Sequence, residues 1–155
     1  MITNLNINNF KLHKQTQLDI KGLTILTGMN GMGKSTVIQS LVLLRQSFMM
    51  NDLDAGLNLK GDLCDAGISG ELACQSSDEH SLKIELKFSQ QDDLTYVFNY
   101  PDNIMDTLLP SVEGNIVDKN ILSKYSLFNE YFQYLSAFRF GPQKSYNRDT
   151  SLVVT

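Results

Sequence analysis

A glycine-rich segment near the amino terminus carries residues whose types and spacing suit chemistry on phosphate groups. Gly28 is followed by four residues and then by Gly33, Lys34 and Ser35, which satisfies the pattern Gly-x4-Gly-Lys-Ser/Thr. Glycines let a backbone curl so that successive N–H groups point at phosphate oxygens, while the lysine bridges the outer phosphates and the serine hydroxyl ligates Mg²⁺. The segment therefore predicts a phosphate-binding loop. Its expected binding residues are Gly28, Met29, Asn30, Gly31, Met32, Gly33, Lys34, Ser35 and Thr36.

The segments on either side of this loop match the elements that must position it. The run LTILT at residues 23–27 is short, mostly apolar or β-branched, and predicts a central strand buried on both faces. From Ser35 to about Met50 the apolar residues recur at spacings of three and four, which predicts a helix packed on a sheet. The positive end of that helix would then lie against the bound phosphate. The residues that form its apolar stripe are Val37, Ile38, Leu41, Val42, Leu44, Phe48 and Met49.

Alternating apolar and polar residues predict further strands. Alternation around residues 5–7 and 18–20 indicates two half-buried strands that flank a turn near residues 13–14. Alternation at 82–88 and again at 94–100 is separated by the polar stretch SQQDD, so these segments predict an antiparallel hairpin.

Three remaining segments have weaker patterns. Residues 51–67 are rich in Asp, Asn and Gly, which predicts a mobile surface loop. Apolar and aromatic residues between 118 and 135 follow helical spacing and predict a second helix. The stretch YLSAFRF at 134–140 reads as extended.

The composition is that of a globular chain without a strong global charge. Of 155 residues, 42% are hydrophobic, which is enough to bury the core of one domain. Thirteen basic and seventeen acidic residues give a formal net charge of −4. A chain with this balance has no overall positive field that would attract nucleic acid or anionic lipid. A nucleic-acid partner would therefore need a local contact or a partner protein.

Cysteine usage and hydropathy indicate a cytoplasmic protein. The spacing of Cys64 and Cys74 fits neither a zinc site nor a disulfide framework, so both are expected to be reduced and half-buried. The amino terminus has no basic region followed by an apolar one, and no run approaches the roughly 18 apolar residues of a membrane span. We expect no membrane association.

Residues 2–48 resemble the amino-terminal part of AAA and ABC-type ATPase heads related to the SMC, RecF and OLD proteins. The resemblance rests on an opening strand that ends in NNFKLHK, a second strand, and a loop of the form GMNGMGKST. Asn30 and Gly31 within the loop are typical of that branch. The segments TVIQSLVLLRQSF, GDLCDAGISGEL and YLSAFRFGPQKSY are similar to bacterial ATPases of this type, including those of anti-phage defence modules such as Septu.

The resemblance implies an α/β fold, with a P-loop NTPase core of the ABC-ATPase head type and an antiparallel β-layer. It implies ATP and Mg²⁺ as cofactors, a second ATPase head that closes on the nucleotide, and an attached effector protein or a nucleic-acid target. A complete head also carries a signature loop and an apolar strand ending in Asp-Glu, and neither pattern is found in this sequence. We therefore expect residues 1–155 to be the amino-terminal portion, or first lobe, of such a domain.

The resemblance also suggests three residues outside the loop. Related heads direct a glutamine toward magnesium and the attacking water from the end of a strand, and Arg139 or Gln143 matches that place, close to Lys144 and Arg148. The alternative is a polar loop that leaves the sheet. Lys11 is expected to reach a nucleotide phosphate, the alternative being an exposed lysine at a strand end.

The sequence is compatible with three functions. The first, which we favour, is an ATPase head that hydrolyses ATP in the complete protein and drives an effector. The second is a nucleotide-sensing module that binds without useful hydrolysis. The third is a small-molecule kinase or GTPase. Against the third stand the lack of an Asn-Lys-x-Asp guanine motif and the predicted hairpin, since kinases usually continue with parallel strand and helix units.

Overall fold

The computed structural model describes residues 1–112 and 118–135 of the chain. These residues form a four-stranded sheet, a two-stranded sheet, one long helix and two short helical turns. The elements are β1 (Ile2–Phe10), β2 (His13–Asp19), α1 (Lys34–Met49), β3 (Gly56–Asn58), a 3₁₀ turn (Ser69–Glu71), β4 (Ser81–Phe88), β5 (Leu94–Asn99), β6 (Leu108–Pro110) and α2 (Lys119–Leu122). Neither helix of this described part has the length and apolar character needed to cross a membrane.

The four-stranded sheet is antiparallel throughout and confirms both predicted strand pairs. Its order is β2-β1-β4-β5. In this register Leu5 of β1 lies opposite Leu18 of β2 and Leu86 of β4, so side chains of like character share a face of the sheet. The turn between β1 and β2 lies at residues 11–12, slightly earlier than predicted, and His13 is the first residue of β2.

The helix predicted from the apolar spacing is confirmed as α1, which spans Lys34–Met49. It shares one hydrophobic core with the four-stranded sheet, as an amphipathic helix must if its apolar side is to leave water. The apolar residues that α1 buries are Val37, Val42, Leu43, Leu44 and Phe48.

The buried side of α1 differs in part from the predicted stripe. Ile38 and Met49 are exposed, although their spacing places them beside the stripe. Ser40 and Ser47 are buried instead, and each hydroxyl donates a hydrogen bond to a backbone carbonyl of the helix itself. Because these serines satisfy their own polar groups, they can occupy the packed side, which an apolar pattern alone does not reveal.

The central strand predicted at residues 23–27 is wrong for the described structure. These residues form no strand, and the side chains of Leu23 and Ile25 are 80% and 72% exposed. A buried strand needs hydrogen-bonded neighbours on its edges and side chains on its faces. Within residues 1–112 and 118–135, no strand pairs with this segment, so its β-branched composition alone does not produce one.

Residues 51–67 pack against α1 rather than forming the predicted mobile loop. The Gln46 side-chain oxygen accepts the Cys64 N–H at 2.9 Å, and the Ser47 hydroxyl accepts the Asn58 N–H at 2.8 Å. Two side chains of the helix thus hold the backbone of this segment. Its apolar residues that join the core are Leu53, Leu57, Leu59 and Ala66.

The second predicted helix is wrong over most of its length. Between 118 and 135 only α2, Lys119–Leu122, is helical, and turns follow it. The helical spacing reflects burial instead, since the Phe128 ring packs on Phe48 of α1 with centroids 4.9 Å apart. Serine and asparagine between the aromatic positions favour turns. Most of the extended segment predicted at 134–140 lies outside the described residues. The buried members of this region are Leu122, Tyr125, Leu127 and Phe128.

Candidate phosphate-binding site

Residues 28–33 form a loop whose backbone requires glycine at three positions. The φ angles are 142° at Gly28, 81° at Gly31 and 82° at Gly33, all in the region that L side chains rarely adopt. A turn of this kind directs backbone N–H groups to one side and creates a concave anion site. The remaining side chains of the loop are all exposed: Met29, Asn30 and Met32.

The loop ends directly on the first turn of α1. Gly33 is the N-cap residue, and its carbonyl accepts the N–H groups of Thr36 at 3.0 Å and Val37 at 3.2 Å. Glycine offers no side chain to cap the helix. The first N–H groups of a helix have no intrahelical acceptor, and the helix dipole adds positive potential there. The helix end at the loop is thus of the kind that can bind an anion.

The Lys34 ammonium lies over this loop. Its Nζ donates to the carbonyl oxygen of Gly28 at 2.8 Å and to that of Met29 at 2.5 Å. Both hydrogen bonds are exposed to solvent, so the charge is accessible to a phosphate that approaches the loop. Ser35 is exposed on the same turn of α1, and Thr36 is half-buried.

A groove of about 520 Å³ lies between α1 and the exposed 23–27 segment, and Lys34 and Ser35 are among the residues that line it. These two contribute a cationic and a hydroxyl-bearing side chain, whereas the other lining residues are mainly apolar. A ligand with an anionic and a less polar part would match this division. The remaining residues that line it are Leu5, Leu18, Ile20, Thr24, Ile25, Leu26, Val37, Ile38 and Leu41.

The structure adds His13, which the sequence placed only in a turn. Its ring is buried, with Nδ1 at 2.9 Å from the Thr16 hydroxyl and Nε2 at 3.0 Å from the Gly33 carbonyl oxygen. The contact joins β2 to the last residue of the loop. Because it spans 20 residues, no local pattern could have shown it. The only sequence signal is a histidine at the start of a strand, which is weak.

Lys11 lies in the turn between β1 and β2 and is held by other partners. Its Nζ donates to the Gln39 side-chain oxygen at 2.9 Å. Burial lowers the pKa of Lys11, and the nearby Cys64 and Glu71 oppose this shift. Lys11 lines a cavity different from the groove that contains Lys34. Its contact with nucleotide stays a prediction.

The other residues that the resemblance suggested lie outside the described part of the chain. These are Arg139 and Gln143, together with the neighbouring Lys144 and Arg148. Their role toward magnesium and the attacking water stays a prediction.

The donors at the loop fit a magnesium nucleotide. Mg²⁺ usually binds one or two protein oxygens and completes its shell with substrate phosphates and water. The exposed Ser35 hydroxyl, one residue after Lys34, offers such an oxygen. Within residues 1–112 and 118–135, no group of three or more His, Cys, Asp or Glu side chains is placed to hold a metal ion. Cys64 is half-buried, as predicted, whereas Cys74 is buried, and both are free thiols.

We expect Gly33→Ala to weaken binding of ATP with Mg²⁺ by at least about tenfold. At φ 82° an added Cβ is strained, and it would lie 2.8 Å from Nε2 of His13. The matched control is Gly22→Ala, since a Cβ there meets no atom within 4 Å. Titration calorimetry on the unaltered protein and on the two variants measures the effect. Equal affinity of Gly33→Ala and Gly22→Ala would show that the loop does not need this backbone shape.

Comparison with known proteins identifies the family of the chain. None of the curated protein sequences searched matches the chain. The family model described as "AAA ATPase domain" matches residues 1–150, a range that includes the loop, α1 and the strands β1 to β6. The residue pattern, the glycine geometry and this match point to the same class, and the chain belongs to the AAA ATPase domain family.

Proposed function

We propose that this chain binds ATP as its magnesium complex through residues 28–36, and that it is the nucleotide-binding part of an ABC-type ATPase head. One observation carries the proposal. Three glycines with positive φ lead into the amino-terminal end of α1, where the Lys34 ammonium and the Ser35 hydroxyl are both accessible. These are the groups that a triphosphate and its metal require.

Each group has a distinct role in this proposal. The loop N–H groups bind the phosphate oxygens, and Lys34 moves from the Gly28 and Met29 carbonyls to the outer phosphates. Ser35 supplies one oxygen to Mg²⁺, which neutralises phosphate charge when bound. The chain's own residues thus hold and orient the triphosphate. Hydrolysis additionally needs a group that positions the attacking water, for which Gln143 and Arg139 are the proposed candidates.

The wider role is proposed from the sequence resemblance. Heads similar to SMC, RecF and OLD proteins close in pairs on nucleotide, so we propose a second copy of the head as partner and an effector protein or nucleic acid as the target of its motion. The segments similar to Septu ATPases favour a cytoplasmic protein of phage defence. Against a small-molecule kinase stands the β4–β5 hairpin after α1, which is antiparallel.

The test is a calorimetric titration of the protein with ATP, ADP and GTP, each with and without Mg²⁺, followed by an assay of phosphate release. We expect saturable binding of ATP with Mg²⁺ and weaker binding of GTP. Absence of any nucleotide binding by the folded protein would refute the proposal. Because the sequence contains neither the Asp-Glu strand nor the signature loop of a complete head, we expect phosphate release near background, and robust release that depends on Lys34 would contradict the assignment to a first lobe.

Ser35→Ala tests the metal assignment. We expect ATP affinity measured with Mg²⁺ to fall by about tenfold, whereas affinity measured in EDTA changes by less than about threefold. The reason is that the lost hydroxyl ligates the ion and not the phosphate. Thr36→Ser is a matched control, because it keeps a hydroxyl on the neighbouring residue. Equal losses with and without Mg²⁺ would contradict the role of Ser35.

A further inference from the structure

His13 occupies a fixed position between β2 and the phosphate-binding loop. Its side chain is 8% exposed and lies between two oxygens, the Thr16 hydroxyl and the Gly33 carbonyl. A carbonyl oxygen only accepts, so Nε2 must carry the hydrogen of that bond. The Thr16 hydroxyl can donate to Nδ1 or accept from it. Both ring nitrogens are therefore satisfied, and the ring cannot rotate without losing a hydrogen bond.

The Gly33 carbonyl belongs to the peptide unit that also contains the Lys34 N–H. A trans peptide is planar, and its C=O and N–H point in opposite directions. A hydrogen bond that fixes the Gly33 oxygen toward His13 therefore directs the Lys34 N–H away from His13. That amide is one of the first donors of α1, at the end where the loop closes.

A hydrogen bond that fixes the 33–34 peptide matters because residue 33 is a glycine. Gly33 has a φ of 82°, and glycine has access to more backbone conformations than any other residue type. Rotation of the 33–34 peptide would turn the Gly33 carbonyl oxygen, an acceptor, toward the anion in place of the Lys34 N–H donor. The helix amides of Thr36 and Val37 also bond this carbonyl. Among residues 1–112 and 118–135, the partner of this oxygen from outside α1 is His13 of the strand β2, which is paired with β1.

We propose that His13 is a positioning residue for the nucleotide, which holds the 33–34 peptide so that the Lys34 N–H faces the phosphates. The inference rests on the proposed nucleotide binding by this loop. Part of the affinity for the triphosphate then depends on His13, a strand residue that lies 20 residues before Gly33 in the sequence. His13 acts through Gly33 and needs no contact with the ligand.

The experiment compares three variants in titrations with ATP and Mg²⁺. His13→Phe keeps an aromatic ring but has no N–H donor, and we expect at least about tenfold weaker binding. His13→Gln has a side-chain N–H at the reach of Nε2, and we expect it to restore affinity to within about threefold of the unaltered protein. His80→Phe is the matched control on an exposed histidine and should bind normally. Urea unfolding of each variant measures stability separately.

The outcomes distinguish the two proposals. If the unaltered protein does not bind ATP, the proposed function fails. If binding depends on Lys34 but His13→Phe binds as tightly as the unaltered protein, only the positioning role fails. Equal weakening in His13→Phe and His13→Gln would also overturn it, because the donor would then not matter.

A second measurement covers the case in which His13→Phe does not fold. The ¹⁵N spectrum of the histidine rings in the unaltered protein reports which nitrogen carries hydrogen. We expect a protonated Nε2 on His13, and a shift of this signal and of the Lys34 amide when ATP and Mg²⁺ are added. An unprotonated Nε2, or a Lys34 amide that does not respond to ATP, would overturn the inference.

Discussion

Replacing Lys34 with alanine is expected to weaken binding of ATP with Mg²⁺ by about 100-fold or more, because hydrogen bonds to charged groups contribute about 1.5–3 kcal/mol each. Lys34 lines the groove beside the 23–27 segment, and its ammonium lies on the exposed side of the loop. Its two hydrogen bonds to the Gly28 and Met29 carbonyls are exposed, so their loss should change the free energy of unfolding by less than about 1 kcal/mol. Affinity and stability should thus respond very differently.

Lys87→Ala provides the matched control for this experiment. Lys87 is an exposed lysine of β4, so its replacement removes the same charge away from the loop. Titration calorimetry and urea unfolding on both variants give the two quantities. A folded Lys34→Ala protein with unchanged affinity would exclude the phosphate-binding role of the loop.

Asn9→Ala is expected to cause the largest loss of stability, about 3 kcal/mol or more. The Asn9 side chain is fully buried, and its amide nitrogen donates to the Glu79 and Ser81 carbonyls at 2.7 and 3.0 Å. Its side-chain oxygen accepts the Cys74 N–H at 2.9 Å. Alanine would leave these three backbone groups without their partner. In addition, the φ of 57° at this position suits asparagine better than alanine.

Urea unfolding measures the effect, with Asn99→Ala as the control. Asn99 is an exposed residue at the end of β5, so its replacement should change the free energy of unfolding by less than about 0.5 kcal/mol. A loss below 1 kcal/mol in Asn9→Ala would show that water or a local shift replaces the lost hydrogen bonds. In that case the hydrogen bonds of Asn9 to residues 74–81 would contribute little to stability.

The elements that the sequence predicts well are those that local patterns determine. The motif requires Gly28 and Gly33 because of the backbone conformation at these positions, and both have positive φ, as does Gly31 between them. The bounds of α1 and of the β4–β5 hairpin follow from apolar periods of 3.6 and 2 residues. In each case the information lies within a few residues of the element.

The predictions that fail concern segments whose structure depends on contacts between residues distant in sequence. The LTILT run has the composition of a strand, but a strand also needs paired neighbours, and none is present among the described residues. Residues 51–67 read as a polar loop because the glutamine and serine that hold them belong to α1. The contact between His13 and Gly33 likewise joins two segments whose relation appears only in the folded chain.

The two carbonyl contacts of Lys34 have a consequence for ligand selectivity. Because the ammonium already donates to Gly28 and Met29, an incoming anion competes with groups of the same loop and must offer more than they do. A single inorganic phosphate would satisfy the loop amides but would gain little from drawing the lysine away. A triphosphate can place one phosphate in the loop and present another to the ammonium at the same time. On the proposed nucleotide binding, we therefore expect these two carbonyl contacts to favour polyphosphates over a single free phosphate.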